Sequence, residues 1–273
     1  MSIDPARILM CPKCRRPGVI AFKSDSAGIV AASCSACSYS LPLHQGLADF
    51  AEHIPLDDPK ASRAQRVMNT RLFAFFYESP LWRPLHTKLG SGISMKQESE
   101  RILQWADGPK VETVADLACG TGHYARAFAE RFPSAAVFGL DISAAMLDQA
   151  QKIAEKEGLN GIFFLRGDIY RLPFADASMD RVNCGGALHL FPNLSTIWKE
   201  IHRVLKPGGI FTAMTITMGR GTVERIQQRI MKKGQATFFE RQSLEKDLES
   251  IGLGSFDCVQ SRFTLLFRVV KNG

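Results

Sequence analysis

The sequence predicts an α/β protein: a doubly wound, mostly parallel sheet of seven strands behind a small metal-held N-terminal segment. Three observations carry that expectation. From residue 97 onward, short apolar runs alternate with stretches of helical period. One run, Thr113-Val-Ala-Asp-Leu117, passes into a helical stretch through the glycine turn Gly120-Thr-Gly122. The first 52 residues hold two Cys-x-x-Cys pairs, Cys11/Cys14 and Cys34/Cys37, with 19 residues between them.

The elements follow in order. Four thiolates at this spacing can close a tetrahedral zinc site between two knuckles, and with every position taken by protein such a site is structural. Residues 1–52 have few large apolar side chains, so metal would supply much of their folding energy. Arg15 and Ser38 stand just past the knuckles, where glycine often eases the turn. Residues 57–59, Asp-Asp-Pro, read as a linker opening a helix over 62–77 that carries Phe73, Phe76 and Tyr77, and 78–84, with Trp82, breaks it.

Beyond residue 97, helices are expected at 98–106, 124–131, 143–157, 194–205, 222–233 and 243–251, with Ser143 as an N-cap and Gly158 and Gly234 as closing glycines. Strands are expected at 112–117, 135–140, 162–166, 179–185 and 210–217, with a closing hairpin at 256–260 and 263–270. Alternation with short connections implies a parallel sheet covered on both faces. The expected domains are 1–52, a zinc-ribbon-like unit; 53–96, a helical linker; and 97–273, the α/β domain.

The net charge of +7 raises the question of nucleic acid. Residues 1–52 hold five Lys/Arg against four Asp/Glu, and a four-thiolate zinc site carrying about −2 would leave that segment slightly negative. The densest basic stretch, 199–233, has eight bases and two acids. A nucleic-acid partner is thus disfavoured. Seven cysteines without an N-terminal apolar run point to a reducing, cytoplasmic setting, and no apolar run approaches the roughly 18 residues of a membrane span.

The carboxylates discriminate between ligands of the glycine turn. Gly120 to Ala125 satisfies the dinucleotide pattern G-x-G-x-x-A, a weak signal alone. Asp116, Asp141 and Asp168 each stand at the end of an expected strand and would face one crevice. An acid as near as Asp116 opposes an anionic pyrophosphate. S-adenosylmethionine, with its sulfonium, ammonium, ribose hydroxyls and adenine amine, suits three acids.

With those residues in view, the chain resembles class I S-adenosylmethionine-dependent methyltransferases, which are Rossmann-like, in the small-molecule group that includes ubiquinone and menaquinone methyltransferases. The matching segments are Asp116 to Gly122, Gly139-Leu-Asp141, Gly167-Asp168 with Leu172-Pro-Phe174, and Arg203 to Gly209. The resemblance implies that Asp116 meets the cofactor's amino group and that Ala118, Cys119, Gly120 and Gly122 line its methionine part. It implies that Asp141, followed by Ile142 and Met146, binds ribose, and that Gly167, Asp168 and Ile169 border the adenine. Ala118 departs from the family's usual glycine. The aromatic helix is expected as a lid, with Phe73, Phe76, Tyr77, Trp82 and Tyr124 toward the substrate. The cysteine segment ahead of such a core also resembles zinc-ribbon methyltransferases of bacteria and plastids.

Methyl transfer needs a base only for a protonated nucleophile. His189, in the loop after residue 185, is the candidate; a pocket-wall role and a hydrogen bond to the next loop are the alternatives. Asn183-Cys-Gly-Gly186 replaces the Asn/Asp-Pro-Pro-aromatic signature of amino methyltransferases. The expected function is therefore methyl transfer to oxygen or carbon of a small molecule such as a quinone or polyketide. The alternative is an rRNA guanine methyltransferase whose ribbon reads RNA. Oligomeric state is not indicated.

Overall fold

The computed structural model describes residues 4–25, 28–44, 46–54, 92–108, 110–159, 161–233 and 236–273. The expected helix over 62–77, with Phe73, Phe76, Tyr77 and Trp82, lies outside the described residues, as does Gly234.

Two sheets organise the chain. The smaller is an antiparallel trio, β1 (Ile20–Asp25), β2 (Gly28–Cys34) and β3 (Ser40–Leu41), in that order. The larger starts from β4 (Leu43–His44) and β5 (Leu47–Asp49), then takes β6 (Thr113–Leu117), β7 (Ala136–Asp141), β8 (Ile162–Arg166), β9 (Met179–Gly185) and β10 (Leu205–Ile216). It closes with β11 (Leu253–Ser261) and β12 (Thr264–Lys271). Its order is β11-β12-β10-β9-β6-β7-β8-β5-β4. The pairs from β10 through β5 are parallel, and β12 runs antiparallel between β10 and β11.

The doubly wound order is as expected, with its switch point between β6 and β9, where ligands of such sheets bind. The expected seven strands are present, but the sheet has nine. β5 pairs in parallel with β8 through Ala48↔Leu165 and Asp49↔Arg166, and β4 pairs with β5. Strands of two and three residues are too short to show a period, so the sequence pattern could not announce them. The apolar residues of the cysteine segment also join the main core: Ile8, Leu9, Ile20 and Phe50 belong to one cluster with Leu117, Phe138 and Phe174.

Helices α1 (Met95–Ala106), α2 (His123–Arg131), α3 (Ala144–Lys156), α4 (Leu194–Val204), α5 (Thr222–Lys232) and α6 (Arg241–Glu249) fall within a few residues of expectation. Ser94 and Gln97 form a reciprocal capping box at α1, and Ser143 caps α3 through the Met146 N–H. The stretch after α4 differs: β10 begins at Leu205 and runs through Pro207-Gly208-Gly209, with a register shift against β9 between Leu205 and Ile210.

Candidate active site and metal centre

The crevice is built on the turn after β6. That strand is buried along its whole length. The chain then turns back through Ala118, Gly120 and Gly122 with φ of 50°, 55° and 77°. At Gly122, the N-cap of α2, a Cβ would come within 3.0 Å of the Phe164 ring and 3.2 Å of the Ala150 methyl, so glycine here permits close packing of helix on sheet. At Gly120 a Cβ would meet nothing within 4 Å; the backbone needs the positive φ, and the space above is open. Ala118 adopts the same left-handed conformation, which costs an L residue about 1–2 kcal/mol. Ala118→Gly should therefore raise the unfolding free energy by about 0.5–1 kcal/mol, net of glycine's extra chain entropy. A denaturation midpoint at or below that of the parent protein would mean that the alanine is held without strain.

The three acids reach the carboxyl rim on adjacent strands. Asp116 is fully buried. Its Oδ1 accepts the Asn183 amide at 2.7 Å and its Oδ2 the Ala125 N–H at 3.0 Å, while Asn183 Oδ1 accepts the Thr212 hydroxyl. Burial pushes the Asp116 carboxyl up to about 7, against these two hydrogen bonds. Asp141 accepts Gly120 N–H at Oδ2 and Ser143 N–H at Oδ1, both at 2.8 Å. Burial raises its pKa too, opposed by those amides. Asp168 accepts the Tyr170 N–H and lies 3.6 Å from His53 Nε2, with its side chain 16% exposed. Two backbone bonds, Cys119 N–H to Leu140 O and Gly167 N–H to Asp141 O, tie the three rim segments together. Ile142 follows Asp141, Met146 lies in the first turn of α3, and Ile169, like Met146, is buried.

Across the rim, the Tyr124 ring fills the space that a Cβ on Gly185 would need. Its hydroxyl donates to Glu98 Oε1, and His123 Nε2 pairs with the Ser99 hydroxyl at 2.8 Å. Glu98 is buried on α1. His189 lies in the 3-10 turn Leu188–Leu190, and its carbonyl accepts the Thr237 N–H. Its Nδ1 is buried with no hydrogen-bond partner among the described residues. Burial lowers its pKa to about 4, so the ring is neutral near pH 7 and a weak base.

The sulfurs of Cys11, Cys14, Cys34 and Cys37 all lie within 4.8 Å of one another. Cys11 to Cys37 and Cys14 to Cys34 are 3.7 Å apart; a tetrahedron with Zn–S bonds of about 2.3 Å has edges of about 3.8 Å. Arg15 and Ser38 take φ of 59° and 56°, the left-handed conformation that glycine adopts most easily. Their N–H groups return to Cys11 O and Cys34 O. Burial opposes a thiolate at Cys34, yet the Ala36 and Cys37 amides and neighbouring thiols draw its pKa to about 7. Burial and the neighbouring thiols push Cys11 up to about 12, so the metal-free set shares its charge unevenly; it is the spacing of the four sulfurs that fits a zinc ion.

Comparison with known proteins follows the same lines. A methyltransferase-domain family matches residues 114–209, from β6 into β10. An uncharacterised chloroplastic methyltransferase of Arabidopsis thaliana is 30% identical over 97% of this chain and 79% of its own length. The chain belongs to the S-adenosylmethionine-dependent methyltransferases. A demethylmenaquinone methyltransferase of Geobacillus kaustophilus is 34% identical, but over 46% of this chain and 55% of that protein. In fold, the chain is similar to phosphoethanolamine N-methyltransferase 2 of Haemonchus contortus, solved with phosphomonomethylethanolamine and S-adenosylhomocysteine. The TM-score is 0.65 at 18% identity, covering 81% of this chain and 61% of that one.

Within this methyltransferase, four residues bordering the rim were not singled out as site residues. Glu98 shares the helical stripe of Ile102, Trp105 and Ala106, and a charge on an apolar stripe is a signal that the spacing offered. Asn183 is marked in the sequence only as the first residue of Asn183-Cys-Gly-Gly186, the segment that stands in place of the amino-methyltransferase signature. Arg166 and Asp49 carry no local signal. Arg166, 1% exposed, places Nη1 3.0 and 2.8 Å from the two oxygens of Asp49. The same guanidinium donates to Ala51 O, Ile54 O and, through Nε, Ile142 O. His44 Nε2 is 3.1 Å from Asp49 Oδ2. Arg166 thus links the end of the cysteine segment to the residue beside Asp141. Among the described residues, no helix is long and apolar enough to cross a membrane.

Proposed function

We propose that this methyltransferase acts on an oxygen or carbon of a small-molecule acceptor such as a quinone or other secondary metabolite. The observation that supports it most is the set of acids on three adjacent strand ends, with an open space over Gly120. Asp141, half-buried with backbone donors at both oxygens, keeps acceptor lone pairs for ribose hydroxyls. Asp168 faces the adenine amine between Gly167 and Ile169. Asp116, whose carboxyl burial raises to about 7, becomes fully charged when the cofactor's ammonium lies beside it, and Ala118, Cys119, Gly120 and Gly122 wall the methionine part. When bound, S-adenosylmethionine supplies an electrophilic methyl on a sulfonium centre.

The chain's own part is to align the acceptor and exclude water. Tyr124, fixed by Glu98, forms one wall of the acceptor site. His189 offers a neutral nitrogen to an acceptor hydroxyl; a pKa of about 4 makes it a poor proton sink at neutral pH, so its role is orientation. Phe73, Phe76, Tyr77 and Trp82 complete the substrate wall in this reading. Cys11, Cys14, Cys34 and Cys37 hold one structural zinc, which activates neither water nor substrate.

The test is transfer of a labelled methyl group into cell extract separated into RNA, protein and small-molecule pools. Label is expected in the small-molecule pool. Label confined to RNA would replace this acceptor class with the nucleic-acid alternative.

A further inference from the structure

We infer that the cysteine segment completes the cofactor site: His53 is a positioning residue for the Asp168 carboxylate, and the turn that carries it is set by Arg166. β5 pairs in parallel with β8, ending on the pair Asp49↔Arg166. The Phe50 N–H extends that pairing to Arg166 O at 2.8 Å. A strand in this register leaves the sheet at its carboxyl rim, where ligands of doubly wound sheets lie. There the chain turns at once. Asp49 Oδ1 accepts the Ala51 N–H at 2.8 Å, and the Ile54 N–H returns to Ala51 O, also at 2.8 Å.

Arg166 grips both ends of this turn. Its Nη1 donates to Ala51 O at 3.1 Å and its Nη2 to Ile54 O at 2.6 Å, while Nε donates to Ile142 O at 3.1 Å. The turn is therefore fixed relative to the residue that follows Asp141. A planar guanidinium with its donors in a rigid fork holds three carbonyls and the Asp49 carboxylate together, which a lysine ammonium would not. A buried network satisfied in this way is rigid, and it gives residues 51–54 a single position.

That position brings His53 Nε2 to 3.6 Å from Asp168 Oδ2. The other oxygen, Oδ1, accepts the Tyr170 N–H at 2.9 Å. The carboxylate is thus addressed at both oxygens, from its own loop and from the cysteine segment. An acceptor for the adenine amine is best held in one orientation before the ligand arrives, since its ordering then no longer opposes binding. His53 is the outer group of the pair, its side chain 47% exposed against 16% for Asp168, so replacing it removes no core packing. The inference rests on Asp168 as the acceptor for the adenine amine.

Isothermal titration of the full chain with S-adenosylhomocysteine and with S-inosylhomocysteine, which carries a carbonyl in place of the amine, isolates that contact. The parent protein should prefer the adenosyl compound by about tenfold or more. His53→Ala should reduce the preference by about threefold or more, through weaker binding of the adenosyl compound alone. His53→Gln, whose amide nitrogen stands where Nε2 does, should restore most of it. Adding His53→Ala to Asp168→Asn should cost nothing further, because both act through one contact. Arg166→Lys, which keeps a cation against Asp49 but gives up the fork, should reduce the same preference. An unchanged preference in His53→Ala overturns the inference. So does an equal loss for both compounds, which marks general packing, or tighter binding, which marks an imidazole that blocks the carboxylate. No preference in the parent protein would remove Asp168 from adenine recognition, and His53 with it, while leaving the acceptor class untouched.

Discussion

Arg166→Ala should lower the unfolding free energy by about 3–5 kcal/mol, the range for removing one partner of a buried ion pair. The substitution leaves the Asp49 carboxylate, 1% exposed, facing a void. It also strips donors from Ala51 O, Ile54 O and Ile142 O. His44, with Nε2 3.1 Å from Asp49 Oδ2, is the remaining side chain in contact and is only partly buried. Chemical denaturation of the intact chain measures the loss. The double substitution Asp49→Leu with Arg166→Met should recover part of it, because two apolar side chains remove the unpaired charge while Ala51 O, Ile54 O and Ile142 O stay without their donor. A change below about 1 kcal/mol in Arg166→Ala would mean that the pair is strongly hydrated. Since Nε holds the carbonyl next to Asp141, the single variant should also weaken cofactor binding.

Removing the metal is expected to have the second large effect. Metal analysis of protein purified without chelator should find about one zinc per chain, and Cys34→Ala should reduce that to a small fraction. In isolated zinc fingers the ion contributes roughly 10–16 kcal/mol. Here Ile8, Leu9, Ile20 and Phe50 also pack into the main core, so the segment does not depend on the ion alone. A net loss of several kcal/mol remains, which for a chain of this size lowers the melting temperature by about 10 °C, at roughly 2–4 °C per kcal/mol. The β4–β5 addition and the Arg166 contacts should loosen with it. A metal-free sample with an unchanged melting temperature would refute the zinc site.

Much of the fold was legible because it rests on local chemistry. Ser143 stands where a cap is needed, Gly122 where helix and sheet meet, and the three acids each follow an apolar run. The knuckle turns at Arg15 and Ser38 were marked by what they lacked, and both residues occupy the left-handed region that glycine would favour. What escaped the sequence depends on distant partners. Asp49 and Arg166 are 117 positions apart, and neither periodicity nor spacing links them. β4 and β5 are too short to alternate visibly. Glu98 was readable in principle, as a charge among apolar positions, but its partner Tyr124 becomes evident only once α1 lies against α2. His189 shows the limit of residue type: an imidazole in that loop suits a base, a pocket wall or a hydrogen bond to the next loop, and burial that lowers its pKa to about 4 is a property the sequence does not carry.

The central claim is that acids on one sheet rim hold a positively charged methyl donor, and isothermal titration tests it most directly. The parent protein should bind S-adenosylmethionine at one site per chain, and Asp141→Ala should lose most of that affinity while keeping its circular dichroism spectrum. Equal affinity in the variant, or binding of a nicotinamide dinucleotide in place of S-adenosylmethionine, would contradict the account.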